Sequence, residues 1–364
     1  MMKGIKKWRL FTLLTALMVI LSGCGEKHLS TLTPAGQVGR DQLDLMILST
    51  GIMVLVIIVV MIVYIIAIVK FRRSKVGEDV IPKQVEGSHK LELIWTVVPI
   101  ILLLILAVPT VVKTFDFADV SGMETVNEEG NKTAVTVNVK ASLYWWEFEY
   151  PDLGIVTSQE LVVPTQEKVY FNLIAADVKH SFWIPAAGGK MDTNVDNLNQ
   201  FYLTFDDASD GLEEGVFYGK CAELCGPSHA LMDFKVKSLE RDDFNAWVAN
   251  MQDSGEEKAV EGDVAQQGQE IFNTSCITCH AVSGAGSTGG VGPNLATFGD
   301  RNRVAGFMDH TEEDIKKWIS NPEEYKPGNL MPQPEDLPNR NGKKFTDQEL
   351  TALTEYLMGL SVEE

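Results

Sequence analysis

Cys221-Ala222-Glu223-Leu224-Cys225-Gly226-Pro227-Ser228-His229-Ala230-Leu231-Met232 packs two thiols, an imidazole and a thioether into one short stretch. A second imidazole, His180, lies upstream in Asp177-Val178-Lys179-His180-Ser181-Phe182. A donor set this soft selects copper over magnesium or calcium, and a methionine disfavours a structural zinc site. One cysteine suffices for a mononuclear blue-copper site. Two cysteines four apart can bridge a pair of coppers, each metal then taking one histidine. A Cys221–Cys225 disulfide with bystander histidines is the competing reading. The flanking sequence alternates as strands do, at Thr133–Val139, Leu161–Val163, Lys168–Ile174 and Phe201–Phe205, between turns rich in Pro, Gly and Asp. Several short strands with no helical period among them predict an antiparallel sandwich or barrel.

Toward the N-terminus the pattern changes to membrane segments. Lys3, Lys6, Lys7 and Arg9 precede an uncharged run from Leu10 to Leu21, too short to span a bilayer. That is the layout of a secretory signal peptide, residues 1–23. Its ending, Leu21-Ser22-Gly23-Cys24, resembles the bacterial lipobox, which implies cleavage before Cys24 and acylation of its thiol. Two longer apolar runs follow, about 45–69 and 93–112, the second broken only by Pro99 and Pro109. Each is long enough for a spanning helix. The loop between them carries Lys70, Arg72, Arg73, Lys75, Lys83 and Lys90, so the positive-inside rule puts it in the cytoplasm. Everything after Val112 is then extracytoplasmic, in agreement with an exported Cys24.

Toward the C-terminus, residues 251–263 are acidic, small and polar and read as a solvated linker. Beyond it, Cys276-Ile277-Thr278-Cys279-His280 is the c-type haem attachment motif, two thiols for thioether bonds and a proximal imidazole. Thr346-Asp347-Gln348-Glu349 is a capping box opening a terminal helix.

The 364 residues exceed one ordinary domain, and a formal charge of −19 argues against a nucleic-acid partner while attracting a basic protein. Five cysteines form no disulfide scaffold.

The two-cysteine cluster is the fingerprint of a CuA centre, so the segment from the membrane hairpin to about Val248 resembles subunit II of cytochrome c oxidase. The resemblance implies a two-helix transmembrane hairpin (24–115), an all-β cupredoxin-like CuA domain (116–250) and dinuclear copper. Cys221 and Cys225 would bridge the coppers, His180 and His229 would ligate one each, and Met232 and the Glu223 carbonyl would be weak outer ligands. The Glu223 carboxylate would reach a magnesium site shared with subunit I, and Glu92, in Glu92-Leu93-Ile94-Trp95-Thr96, would lie near the mouth of a proton channel of that subunit. Tyr144-Trp145-Trp146-Glu147-Phe148-Glu149-Tyr150 resembles the aromatic strand through which cytochrome c electrons arrive, with Tyr144 standing where the family pattern has its first tryptophan.

Residues 264–364 resemble an all-α class I cytochrome c. Gly268 and Phe272 lie one turn apart before the motif, and Gly292-Pro293-Asn294-Leu295 resembles the loop whose proline carbonyl orients the proximal His280. Met331, in Asn329-Leu330-Met331-Pro332, is the expected second axial ligand, with Met308 and His310 as competitors. His28 and His89 read as surface residues.

A cytochrome c behind a CuA domain resembles the Bacillus-like type of subunit II. It implies a route from cytochrome c to haem c, then CuA, then haem a and the oxygen site of subunit I, with subunit III as a further partner. A quinol oxidase subunit II lacks the copper set kept here at Cys221, Cys225, His180 and His229. A CuA-containing nitric oxide reductase subunit is the alternative, and a copper-binding lipoprotein leaves the haem domain without a use.

Overall fold

The computed structural model describes residues 11–17, 25–77, 80–81, 83–128, 130, 132–254, 260–285, 290–337 and 339–362. Cys24 lies outside the described residues, as does 255–259 of the acidic segment.

After residues 11–17 and 25–36 come two long helices, α1 (Gln37–Lys70) and α2 (His89–Ala118). Their central windows have a mean hydropathy of 3.6 and 2.7 and no buried residue. Apolar side chains left uncovered around a whole helix are the mark of a lipid-facing span. Helix α1 starts eight residues before the apolar run, because Gln37 to Asp44 continues the helix outside the membrane. There Asp41 pairs with Lys113 of α2 at 3.0 Å, and Arg40 pairs with Asp206 of the following domain.

That domain is a β-sandwich. Its strands are β1 (Val135–Ser142), β2 (Trp145–Tyr150), β3 (Ile155–Ser158), β4 (Glu160–Pro164), β5 (Lys168–Ala175), β6 (His180–Trp183), β7 (Met191–Thr193), β8 (Asn199–Thr204), β9 (Phe217–Cys221) and β10 (Asp233–Leu239). One sheet runs β3-β2-β1-β5-β8 and the other β4-β10-β9-β6-β7. The antiparallel expectation is corrected at two pairs: β1 is parallel to β5, and β4 to β10. Both pairs join strands distant in sequence, which alternation within each strand cannot reveal. Between the sheets Phe182 stacks on Phe234 with ring centroids 4.9 Å apart, and Trp146 lies 5.2 Å from Phe234. Each fully buried aromatic ring contributes about 1.5–3 kcal/mol of transfer energy. This aromatic core is the floor on which the cysteine loop rests. Helix α3 (Arg241–Asp253) closes the sandwich, burying Phe244, Trp247 and Met251.

The last domain is helical: α4 (Asp263–Ser275), α5 (Glu312–Ser320) and α6 (Asp347–Met358). Helix α4 crosses α6 at Gly268, where a Cβ would run into the Ala352 carbonyl. Phe272 packs on Tyr356 at 5.3 Å beside that crossing. Thr346 and Glu349 form both bonds of the capping box that starts α6.

The sandwich and the helical domain are joined by polar bonds along β3 and beyond. Val156 N–H donates to Gly284 O at 3.0 Å, and Asn294 N–H to Ser158 Oγ at 3.0 Å. Asn302 N–H donates to Glu160 Oε1 at 2.7 Å, and Arg303 pairs with Glu214 at 2.7 Å.

Candidate metal centre and haem pocket

Strand β6 delivers His180 and β9 delivers Cys221 to one end of the sandwich, and the loop after β9 curls back with Cys225, His229 and Met232. Both thiols are free, with Cys221 Sγ 3.9 Å from Cys225 Sγ, far beyond the roughly 2.05 Å of a disulfide. With metal–sulfur bonds of about 2.3 Å, one ion can touch both sulfurs across that gap. Donor atoms of His180, Cys221 and Cys225 lie within 4.8 Å of one another. Cys221 Sγ is 4.0 Å from His180 Nδ1 and 3.3 Å from the Glu223 carbonyl. Cys225 Sγ is 3.7 Å from His229 Nδ1 and 3.9 Å from Met232 Sδ. Each cysteine thus has its own histidine and its own weaker neighbour. The arrangement fits two thiophilic ions sharing both sulfurs.

Electrostatics readies Cys221 in particular, since a metal takes the thiolate. The hydrogen bond from Cys225 draws the Cys221 thiol down to about 3. Hydrogen bonding to Cys221, and then burial, push the Cys225 thiol up. Burial works against a charged His180 ring, but Asp177 and Cys221 hold its pKa above the usual value. Asp177 Oδ1 lies 2.8 Å from His180 Nε2, while Oδ2 accepts from Leu143 N–H at 2.7 Å. Such a carboxylate fixes the ring and frees Nδ1 for a metal. Asp177, three residues before His180, was readable in sequence but carries no signature of its own.

The Glu223 side chain is half-buried beside an exposed Leu224. Glu92 lies in the first turn of α2, exposed, with His89 Nδ1 at 3.6 Å. His28 packs tilted against Tyr218 with ring centroids 4.6 Å apart.

A largely apolar cavity opens in the helical domain, lined by Cys276, Cys279, His280, Met331, Arg301 and Phe272. His280 Nδ1 donates to Pro293 O at 2.8 Å, leaving Nε2 free for iron. A Cβ on Gly292 would meet the His280 ring at 2.8 Å, so only glycine fits there. Met308 and His310 do not line the cavity among the described residues. Met308 belongs to a short antiparallel pair with Val304, and His310 packs on Phe298 at 5.3 Å with its buried Nε2 unpartnered. Arg301 does line it, 5% exposed, with Nε unpartnered. A buried guanidinium with a free donor suits the carboxylate of a haem propionate. Paired thiols, oriented imidazole, thioether and guanidinium together fit a c-type haem.

The cavity wall also includes Leu143, Tyr144 and Trp145 of the sandwich. Tyr144 is 3% exposed, Trp145 9% and Trp146 0%. The aromatic strand therefore faces the haem domain rather than solvent. Trp146 Nε1 donates to Met232 O at 3.3 Å, and its ring lies 6.3 Å from that of His180. Sequence reasoning missed Arg301, whose role depends on burial.

Comparison with known proteins agrees with both centres. Residues 147–239 match the family of the cytochrome c oxidase subunit II periplasmic domain, 39–112 its transmembrane domain, and 265–361 cytochrome c. Cytochrome c oxidase subunit 2 of Bacillus sp. strain PS3 is 58% identical, covering 100% of both chains. That of Bacillus subtilis strain 168 is 52% identical over 99% of each. A quinol oxidase subunit 2 of Bacillus cereus is 29% identical over 68% of this chain and 81% of its own length. The matched domains imply copper and haem c. With two spanning helices, a periplasmic domain and a cytochrome c domain, the chain belongs to the cytochrome c oxidase subunit II family and is a membrane component of that oxidoreductase.

Proposed function

We propose that this chain is the electron-accepting subunit of a respiratory haem–copper oxidase. Its bound haem c and CuA would supply successive one-electron carriers between a cytochrome c donor and the haem a and oxygen site of subunit I. Cys276 and Cys279 would hold the haem covalently, with His280 and Met331 on either side of its iron. Cys221 and Cys225 would bridge the copper pair, His180 and His229 would each take one metal, and Met232 and the Glu223 carbonyl would complete the set.

The observation that carries this reading is the shared wall of the two centres. Tyr144 and Trp145 line the haem cavity, and the adjacent Trp146 bonds to the Met232 carbonyl. An external donor then meets the helical domain first, and Tyr144–Trp146 serve the internal transfer. The charge of −19 suits a basic donor.

Finer assignments belong to the same reading. Glu223 would reach a magnesium ion shared with subunit I, Glu92 would sit at the mouth of its proton channel, and subunit III would complete the assembly. Residues 1–23 would direct export, and acylated Cys24 would anchor the mature N-terminus on the outer face of the cell membrane. The basic loop between α1 and α2 would remain cytoplasmic.

Purification from membranes with metal, haem and subunit analysis tests the proposal. Copper and haem c co-purifying with a haem a subunit is the expected result. A nitric oxide-reducing partner without haem a would overturn it in favour of the reductase.

A further inference from the structure

Lys326 is 3% exposed at the junction of the sandwich and the helical domain. Its Nζ donates to Tyr144 O at 2.7 Å on one side and to Ala305 O at 2.6 Å on the other. Among the described residues no carboxylate pairs with it. Burial pushes its pKa down to about 7 against the raising fields of Asp233 and Cys225, so the amine is held by carbonyl bonds at the cost of its solvation.

The neighbouring residues extend the contact. Ser228 Oγ donates to Pro327 O at 2.7 Å, and Ser228 immediately precedes His229. Gly328, at φ +77°, leaves room where a Cβ would approach the Tyr144 hydroxyl to 3.2 Å. A Cβ on Gly226 of the copper loop would run into the same hydroxyl. The loop from Lys326 to Met331 is therefore fastened to the loop that carries His229 and Met232. Tyr144 lies against both loops, at Gly226 and at Gly328.

We propose that Lys326, assisted by Ser228, is a positioning residue that clamps the Met331 loop of the cytochrome domain onto the copper loop and so holds the two carriers in their transfer geometry. The clamp rests on the proposed function of the two centres. A tether alone raises effective concentration but leaves orientation free, whereas Lys326 Nζ to Tyr144 O and Ser228 Oγ to Pro327 O are two bonds that cross between the domains at fixed points. Of the other interdomain bonds, Arg303 to Glu214 is more exposed, while Asn294 N–H to Ser158 Oγ is buried and involves neither the Lys326 to Met331 loop nor the copper loop.

The test is photoinduced electron injection into haem c of the purified full oxidase, following haem c reoxidation and the near-infrared CuA band. Lys326→Met is expected to slow the haem c to CuA step about ten-fold or more, with both absorption bands and the haem potential unchanged. Ser228→Ala is expected to slow it in the same direction by a smaller factor. A loss of fold would alter the haem band or potential, which separates it from misorientation. Wild-type rates in both variants with intact bands would overturn the clamp. Should Lys326→Met fail to assemble, a wild-type rate in Ser228→Ala overturns it alone. Wild-type oxidase with both bands but no haem c to CuA transfer would instead overturn the function beneath it.

Discussion

Cys221 Sγ and Cys225 Sγ face each other at 3.9 Å without bonding, each with a histidine nitrogen within 4.0 Å. Replacing either cysteine by serine would remove one of the two proposed bridging thiolates, since a hydroxyl is a hard and weakly acidic ligand. Either variant should lose the near-infrared copper band while the c-type haem spectrum persists. Retention of both bands in Cys221→Ser and Cys225→Ser would refute the dinuclear assignment.

Asp177 holds His180 through Nε2 at 2.8 Å. Asp177→Asn keeps the shape but weakens the acceptor. Copper affinity should drop about 10–100-fold, measured as copper retained against a graded chelator. An unchanged retention curve would remove Asp177 from the support of the site.

Met331 lines the haem cavity, while Met308 and His310 lie off it. Replacing Met331 would remove the proposed axial thioether, which favours the reduced haem, so the midpoint potential should fall. Redox titration of Met331→Ala, Met308→Leu and His310→Gln checks the assignment. A lowered potential in Met308→Leu or His310→Gln with an unchanged Met331→Ala would transfer the role.

The cap of α6 gives a stability prediction. Thr346→Ala should cost the cytochrome domain about 1 kcal/mol, read from thermal loss of its haem band in detergent. Hydrogen bonds from Arg340 and Thr346 hold the Glu349 carboxyl down to about 2, against an ordinary value of 4.5. A depressed folded value means this contribution is present above about pH 4.5 and fades as pH falls toward 2. The variant should therefore lose part of the wild type's acid sensitivity in that window. An identical pH profile would show that the cap contributes nothing there.

How much of this was legible in the sequence depended on distance along the chain. The donors from Cys221 to Met232 lie within one loop and its flanks, so their spacing reports their chemistry. The same holds for Cys276, Cys279 and His280, and for the capping box. The spanning helices were legible because a bilayer demands length and apolarity, both local quantities. Only their ends shifted, since Gln37–Asp44 is polar yet helical. The sheet pairing was harder to read: β1 beside β5 and β4 beside β10 are parallel pairs that no local alternation specifies.

By itself the sequence determined the membrane hairpin, the soft copper-binding set and the haem attachment motif, because each is written within a few turns or strands. Tertiary structure decided which methionine enters the haem cavity and that Arg301 waits there with a free Nε. It also decided that Tyr144 and Trp145 are covered and that Lys326 reaches a carbonyl 182 residues away. Those outcomes depend on burial and on contacts between distant segments, and folding alone brings such segments together.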